Sequence, residues 1–143
     1  MQSSEVHLRV RYAETDQMGV VYHANYLVWM EIGRVELCRS AGVRYRDMEE
    51  QDGIMLTVVE ASCRFIAPAR YDDEIRVRTT VSRSTTRLLG FSYEILSADT
   101  GRILVTGSTT HIYAGRDLRP CRLPEKYWTA FQVTNKRQTA LSA

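Results

Sequence analysis

The stretch Tyr12-Ala-Glu-Thr-Asp16-Gln-Met-Gly19-Val20-Val21-Tyr22-His23-Ala-Asn25-Tyr26 decides how the chain is read. It sets an acid, Asp16, in a turn between an alternating segment and a long apolar one. Upstream, Val6, Leu8, Val10 and Tyr12 alternate with His7, Arg9 and Arg11, the period of a half-buried strand over Glu5–Tyr12. Downstream, the spacing predicts a helix from about Asn25 to Ala41, with Asn25 as N-cap and Gly42 in the C′ position. A carboxylate beside the amide-rich entrance of a helix is placed to activate water while the amides polarise a carbonyl.

The helix carries two apolar stripes. Tyr26, Trp29, Met30, Gly33, Leu37 and Ala41 share one face, and Val28, Ile32 and Val35 form the second. A helix apolar nearly all round is expected to be enclosed by other elements. Gly33 inside it implies close backbone approach by a neighbour. A second, short helix is expected over Tyr45–Gln51, ending at Asp52-Gly53. Strands follow at Met55–Ile66, Glu74–Ser82, Arg87–Ser97 and Arg102–Tyr113, linked by the turn-like Ala67-Pro68-Ala69-Arg70 and Asp99-Thr100-Gly101. Beyond Pro120 and Pro124 the pattern predicts an amphipathic helix over Glu125–Phe131, and the polar end from Thr134 to Ala143 is expected to fray.

Strand, helix, then four strands without an internal repeat or linker make a single domain over residues 1–133. The expected class is α+β, a curved antiparallel sheet of about five strands wrapped around one long central helix. Such a sheet keeps open edges, and pairing with a second copy would cover them, so at least a homodimer is expected.

At 143 residues the chain is long enough to bury a core, and its 44% apolar and 25% charged content is that of an ordinary globular protein. A formal net charge of +2 gives no support to nucleic-acid binding, although basic residues outnumber acidic ones between Arg64 and Arg87. Cys38, Cys63 and Cys121 are odd in number and match no zinc pattern, which suits reduced thiols in a cytoplasmic protein. No stretch has the length of a membrane span, and the N-terminus lacks the pattern of a secretion signal.

The motif Tyr12-x-x-Thr-Asp16-x-x-Gly19-Val-Val-Tyr-His23-Ala-Asn25-Tyr26 resembles the signature of the hotdog-fold acyl-CoA thioesterases, in the 4-hydroxybenzoyl-CoA and tol-pal-associated branch. The likeness continues through Glu31-Ile-Gly-Arg34, Ala67-Pro68-Ala69-Arg70-Tyr-Asp-Asp73-Glu-Ile75 and Pro120-x-x-Leu123-Pro124. The resemblance implies hydrolysis of an acyl-CoA to a free acid and coenzyme A, with no metal and no organic cofactor. It assigns Asp16 as nucleophile or general base and the His23 backbone amide as the donor to the thioester oxygen. Tyr12 and the His23 ring are supporting candidates, the first to position Asp16 and the second to orient water or protonate the departing thiol. The branch that this chain resembles has a Tyr four residues before the acid and a His seven after it, which Tyr12 and His23 match, whereas the 4-hydroxybenzoyl branch proper has Tyr at the position of His23. The substrate surface is expected around Gly19, Val20, Val21, Tyr22, Asn25, Tyr26, Met30 and Glu31, and a homotetramer is common in the family.

Residue by residue, ordinary structural roles compete with these. Asp16 alone would read as a turn residue bonding its own backbone. Glu14 is read as a support for the site rather than its acid. Glu31 and Arg34, three apart, have the spacing of a helical ion pair. Arg83 and Arg87, flanking Ser84-Thr85-Thr86, are candidates for the phosphates of coenzyme A. His7 and His111 have no motif support. Two other functions use the same residues: a thioesterase acting on an acyl carrier protein, and an acyl-binding or scaffold protein without turnover.

Overall fold

Ile75, Val77, Thr79 and Val81 are buried on one face of a strand whose intervening residues are less buried. That strand organises the rest. In the computed structural model, which describes residues 2–134, it is β3 (Glu74–Ser84) of a five-stranded antiparallel sheet. The others are β1 (Ser3–Arg9), β2 (Met55–Phe65), β4 (Leu88–Ser97) and β5 (Ile103–Ala114), in the spatial order β1-β3-β4-β5-β2. Register shifts at Val58/Glu60, Val81/Arg83 and Ile95/Leu96 mark irregularities that bend the strands.

One helix, α1 (Ala24–Ser40), lies on the buried face against β1 and β3, and a shorter one, α2 (Tyr45–Asp52), follows it. The core between α1 and the sheet contains Trp29, Met30 and Leu37 with Ile75, Val77, Phe91, Ile95 and Val105. This is the α+β hotdog arrangement that the sequence implied. The helix closes with Gly42 at φ +90°, where Val43 N–H reaches Cys38 O and Gly42 N–H reaches Arg39 O. Those two bonds satisfy carbonyls that the helix leaves orphaned.

Close approach is visible at Gly33. A methyl group there would collide with Thr79 Oγ1 and stand 3.0 Å from Val77 Cγ1. On the sheet, a Cβ at Gly107 would lie 2.5 Å from Met30 Cε and 2.7 Å from the Ser62 carbonyl oxygen.

Several expectations are corrected. The first strand ends at Arg9, because the chain turns at Tyr12–Glu14, where Glu14 N–H bonds Arg11 O and Thr15 N–H bonds Tyr12 O. Val10 stays buried, but Tyr12 leaves the strand face and is 77% exposed. The turn-like Ala67–Arg70 link joins strands that are not neighbours: β2 pairs with β5 at one edge of the sheet, while β3 pairs with β1 and β4. The helix expected over Glu125–Phe131 is only a 3₁₀ turn at Glu125–Tyr127. So short a segment nucleates a helix poorly, and the burial of Phe131 near Tyr113 and Tyr127 outweighs continuation. Of the polar end, Thr134 bonds Ser84 O through both its amide and its hydroxyl, and residues 135–143 lie outside the described part.

The second apolar stripe of α1 is not enclosed: Val28 is 49% and Ile32 39% exposed. The sheet covers only one side of the helix. Two basic residues of β3 are neutralised on the other face of the sheet, where Arg76 pairs with Glu5 and Arg78 with Glu5 and Glu94.

Two stability measurements test this packing. Gly33→Ala would gain helix propensity of about 1 kcal/mol. The collision with β3 is expected to outweigh that gain and leave a net loss of about 1–3 kcal/mol in urea unfolding. His111 is fully buried, its Nε2 2.8 Å from Thr109 Oγ1. Burial, helped by the nearby Arg34 charge, lowers its pKa to about 4. The unfolded chain therefore binds the extra proton first, and stability is complete above the unfolded value near 6.5 and lost as the pH falls toward 4. The loss is expected to be on the order of 2–3 kcal/mol, and His111→Gln should flatten the profile in that window.

Candidate active site

Asp16 opens a tight turn. Its N–H bonds Val20 O, its carbonyl accepts from Gly19 N–H, and its Oδ1 accepts from Met18 N–H at 2.9 Å. Gly19 has φ +80°, a conformation that strains other residues. The chain then returns beside itself, with Thr15 opposite Val21 and Val20 opposite Arg70. The Asx turn of the structural reading is thus present. It uses one carboxylate oxygen and leaves the side chain half-buried on the wall of a cavity.

That cavity has a volume of about 260 Å³. Asp16, Val20, Val21, His23 and Tyr26 line one part of it, and Phe65 to Pro68 line the other. Sequence reasoning missed this second wall. Its signal was available in the apolar pair Phe65-Ile66 at the end of β2, leading into Ala67-Pro68. Phe65 is 53% exposed for so large an apolar side chain, with its ring 6.2 Å from the His23 ring and 5.7 Å from that of Tyr26.

The start of α1 is held by Glu14. Its backbone carbonyl accepts from Tyr22 N–H at 2.9 Å and from the Asn25 side-chain amide at 2.8 Å. Its buried carboxylate accepts from Arg11 N–H at 2.8 Å and from the Trp29 indole at 2.7 Å. Burial raises the carboxyl pKa, but the Arg11 and Trp29 hydrogen bonds, with the Arg11 charge, bring the net shift below the usual value. The helix begins at Ala24 with His23 in the N-cap position, so Asn25 is not the cap. Asn25 ties the first helical turn to the acid-bearing loop instead.

Amides around the helix entrance are unevenly engaged. Those of Tyr22, Asn25 and Tyr26 bond the carbonyls of Glu14, Tyr22 and His23. The amides of His23 and Ala24 have no acceptor among the described residues. Free N–H groups at a helix start favour developing negative charge. The Tyr26 hydroxyl accepts from Ala69 N–H at 3.2 Å, joining the helix to the second wall, and burial raises the phenol's pKa.

Other candidates are placed elsewhere. The Tyr12 ring packs edge-on against Tyr71 at 5.7 Å, away from the cavity wall. Tyr22 stacks tilted on the His23 ring at 4.5 Å and is exposed. Met30 is fully buried over Gly107. Glu31 lies on the outward side of α1 and forms no ion pair among the described residues, so the pairing expected with Arg34 is absent. Arg83 sits six residues along β3 from Val77, whose rung runs through Ile95 and Val105 to Phe65. At about 3.3 Å per residue it is roughly 20 Å from the cavity's end of the sheet, and Arg87 follows in the hairpin beyond it. One chain does not bring these arginines to Asp16. Among the described residues, no three His, Cys, Asp or Glu side chains gather as metal ligands.

Comparison with known proteins gives a consistent picture. Residues 10–131 match the thioesterase-like superfamily. YneP of Bacillus subtilis (strain 168) is 34% identical over 140 residues, covering 95% of this chain and 100% of the relative. The acyl-CoA thioester hydrolase YbgC of Escherichia coli O6:H1 is 30% identical over 92 residues, 64% of this chain and 68% of that protein. The solved DHNA-CoA thioesterase from Staphylococcus aureus superposes with a TM-score of 0.88 at 32% identity, covering 99% of this chain and 94% of that one.

Glu14→Gln tests the hub at the helix entrance. A Gln amide cannot accept from both the Arg11 amide and the Trp29 indole as the carboxylate does, and one buried donor is left unpaired. The expected loss is about 1–3 kcal/mol in denaturant unfolding.

Proposed function

The chain belongs to the thioesterase-like superfamily, and from that membership we propose how this enzyme, a thioester hydrolase, works at the Asp16 cavity. The substrate is an acyl-CoA, which is hydrolysed to the free acid and coenzyme A. The reading is carried by one juxtaposition: a half-buried carboxylate and the unengaged His23 amide on the walls of the same apolar cavity.

In the reaction, the thioester oxygen lies at the helix entrance, within reach of His23 N–H. Asp16 takes a proton from water as the water oxygen bonds the carbonyl carbon. Charge develops on the former carbonyl oxygen, where the amide donor and helix end stabilise it. The carbon–sulfur bond then breaks, the electron pair leaves with sulfur, and the proton held by Asp16 passes to the thiolate. A positioned base contributes roughly 10²–10⁴ in rate and an oxyanion donor on the order of 10²–10³. The apolar side chains of Val21, Tyr26, Phe65 and Ile66 receive the acyl group.

β2 is the last strand of the sheet, and it exposes Val58, Val59 and Phe65, with Ile66 just beyond. A long apolar edge of this kind pairs readily with another strand. The working form is therefore a homodimer joined along β2, within a homotetramer. Three free cysteines suit a reducing, cytoplasmic setting. No helix of the described residues is long and apolar enough to cross a membrane.

Thiol release across a panel of acyl-CoA substrates tests the reading. Asp16→Asn and Asp16→Ala are expected to lower kcat by about 10²–10⁴ while the melting temperature stays near that of the parent. Near-parental turnover by either variant removes Asp16 from the mechanism. Release from acyl carrier protein but from no acyl-CoA would move the substrate to the carrier-bound class.

A further inference from the structure

Tyr26 differs from the other walls of the Asp16 cavity in carrying a buried hydroxyl. His23, at the entrance of α1, is exposed, whereas Tyr26, about one turn further into the helix, is buried. Both line the cavity together with Asp16. The reacting groups therefore lie nearer the solvent, and Tyr26 meets the part of an acyl group that enters further.

The ring is held in place from several directions. It packs edge-on against Trp29 at 5.1 Å and tilted against Phe65 at 5.7 Å. Its hydroxyl accepts from Ala69 N–H at 3.2 Å, and the Ala69 carbonyl is itself held by Val21 N–H at 2.9 Å. A phenol accepts and donates at the same time. Here the Ala69 amide takes up the accepting role, while the O–H proton has no acceptor among the described residues. Val20, Val21, Phe65, Ile66, Ala67 and Pro68 give the surrounding wall only apolar side chains. Water serves that proton while the cavity is open to solvent. An acyl group that displaces the water leaves a buried donor unpaired unless it brings an acceptor of its own.

We propose that Tyr26 is a specificity-determining residue, whose hydroxyl donates to an oxygen carried by the acyl group itself, a hydroxyl or keto oxygen distinct from the thioester carbonyl. The inference rests on the reading of this cavity as a thioester-hydrolase site. A pocket built around a fixed donor discriminates against the analogue that lacks the acceptor, so plain hydrocarbon chains are the poorer substrates. Because the protein group donates, a keto oxygen, which only accepts, serves as well as a hydroxyl. Tyr26 takes no part in the bond-breaking steps. It bears on which thioester is hydrolysed.

CoA thioesters that differ in one oxygen test the assignment: butyryl, 3-hydroxybutyryl and acetoacetyl in an aliphatic series, and benzoyl with the hydroxybenzoyl isomers in an aromatic one. In the parent protein, kcat/KM is expected to be about tenfold or more higher for an oxygenated member of at least one series than for its unsubstituted partner. If the aliphatic series shows the preference, acetoacetyl should do no worse than 3-hydroxybutyryl. Tyr26→Phe should bring the ratio close to one. Loosening of the Ala69 link by that variant lowers both members of a pair and cancels in the ratio. No oxygen preference in the parent, a preference that survives Tyr26→Phe, or rejection of the keto compound in favour of the hydroxyl would each overturn the proposal. Calorimetric binding of the corresponding free acids to the parent and to Tyr26→Phe reads the same ratio without turnover. Oxygen-dependent binding that Tyr26→Phe abolishes, with no thioester hydrolysed, would count against the Asp16 reading alone. Absence of both hydrolysis and oxygen-dependent binding would overturn both.

Discussion

Everything in this molecule depends on how closely α1 lies against the sheet, and two missing side chains set that distance. Gly33 on the helix leaves room for Thr79 and Val77 of β3, and Gly107 on β5 leaves room for the Met30 thioether. Interiors are close-packed, so a methyl group at either point would lift the helix or displace a strand. Brought this close, Trp29, Met30 and Leu37 sink into the sheet's apolar face, while Val28 and Ile32 are left outside. The same approach that builds the core therefore creates the exposed stripe.

The depth of the helix also fixes the site. Trp29 is carried to a position from which its indole reaches Glu14, and Glu14 in turn holds Tyr22 and Asn25. The entrance of α1 and the turn bearing Asp16 are thereby one mechanical unit. A buried carboxylate is costly unless its lone pairs are satisfied, and here three donors of different origin converge on it: the Arg11 amide, the Arg11 guanidinium and the Trp29 indole. The cavity is then completed from much further along the chain. The end of β2 and the Ala67-Pro68 link close over it, and the Tyr26 hydroxyl fastens helix to link through Ala69.

Much of this was legible in the residues. Period-two alternation located β3 almost to the residue, the apolar stripe located α1, and Gly42 and Gly53 marked two helix ends as the left-handed residues found there. Gly33 announced close approach before any partner was known. At the site, Asp16, Val20, Val21, His23 and Tyr26 do meet in one cavity. Tyr12, Met30, Glu31, Arg83 and Arg87 do not join them within the chain. Their positions turn on a 3₁₀ turn, on which side of α1 the sheet covers, and on strand order, none of which periodicity encodes.

Taken alone, the sequence determined the elements, their amphipathic faces and the chemical types gathered around Asp16, because these follow from local spacing and backbone preference. Tertiary structure alone decided that β2 sits at the edge beside β5, that Phe65 to Pro68 wall the cavity, and that Asn25 holds a loop while His23 heads the helix. It also decided that the second stripe of α1 faces outward. These outcomes depend on pairings between residues far apart in the chain. Such pairings are set by which apolar surfaces can be buried together, a global competition that no local pattern records.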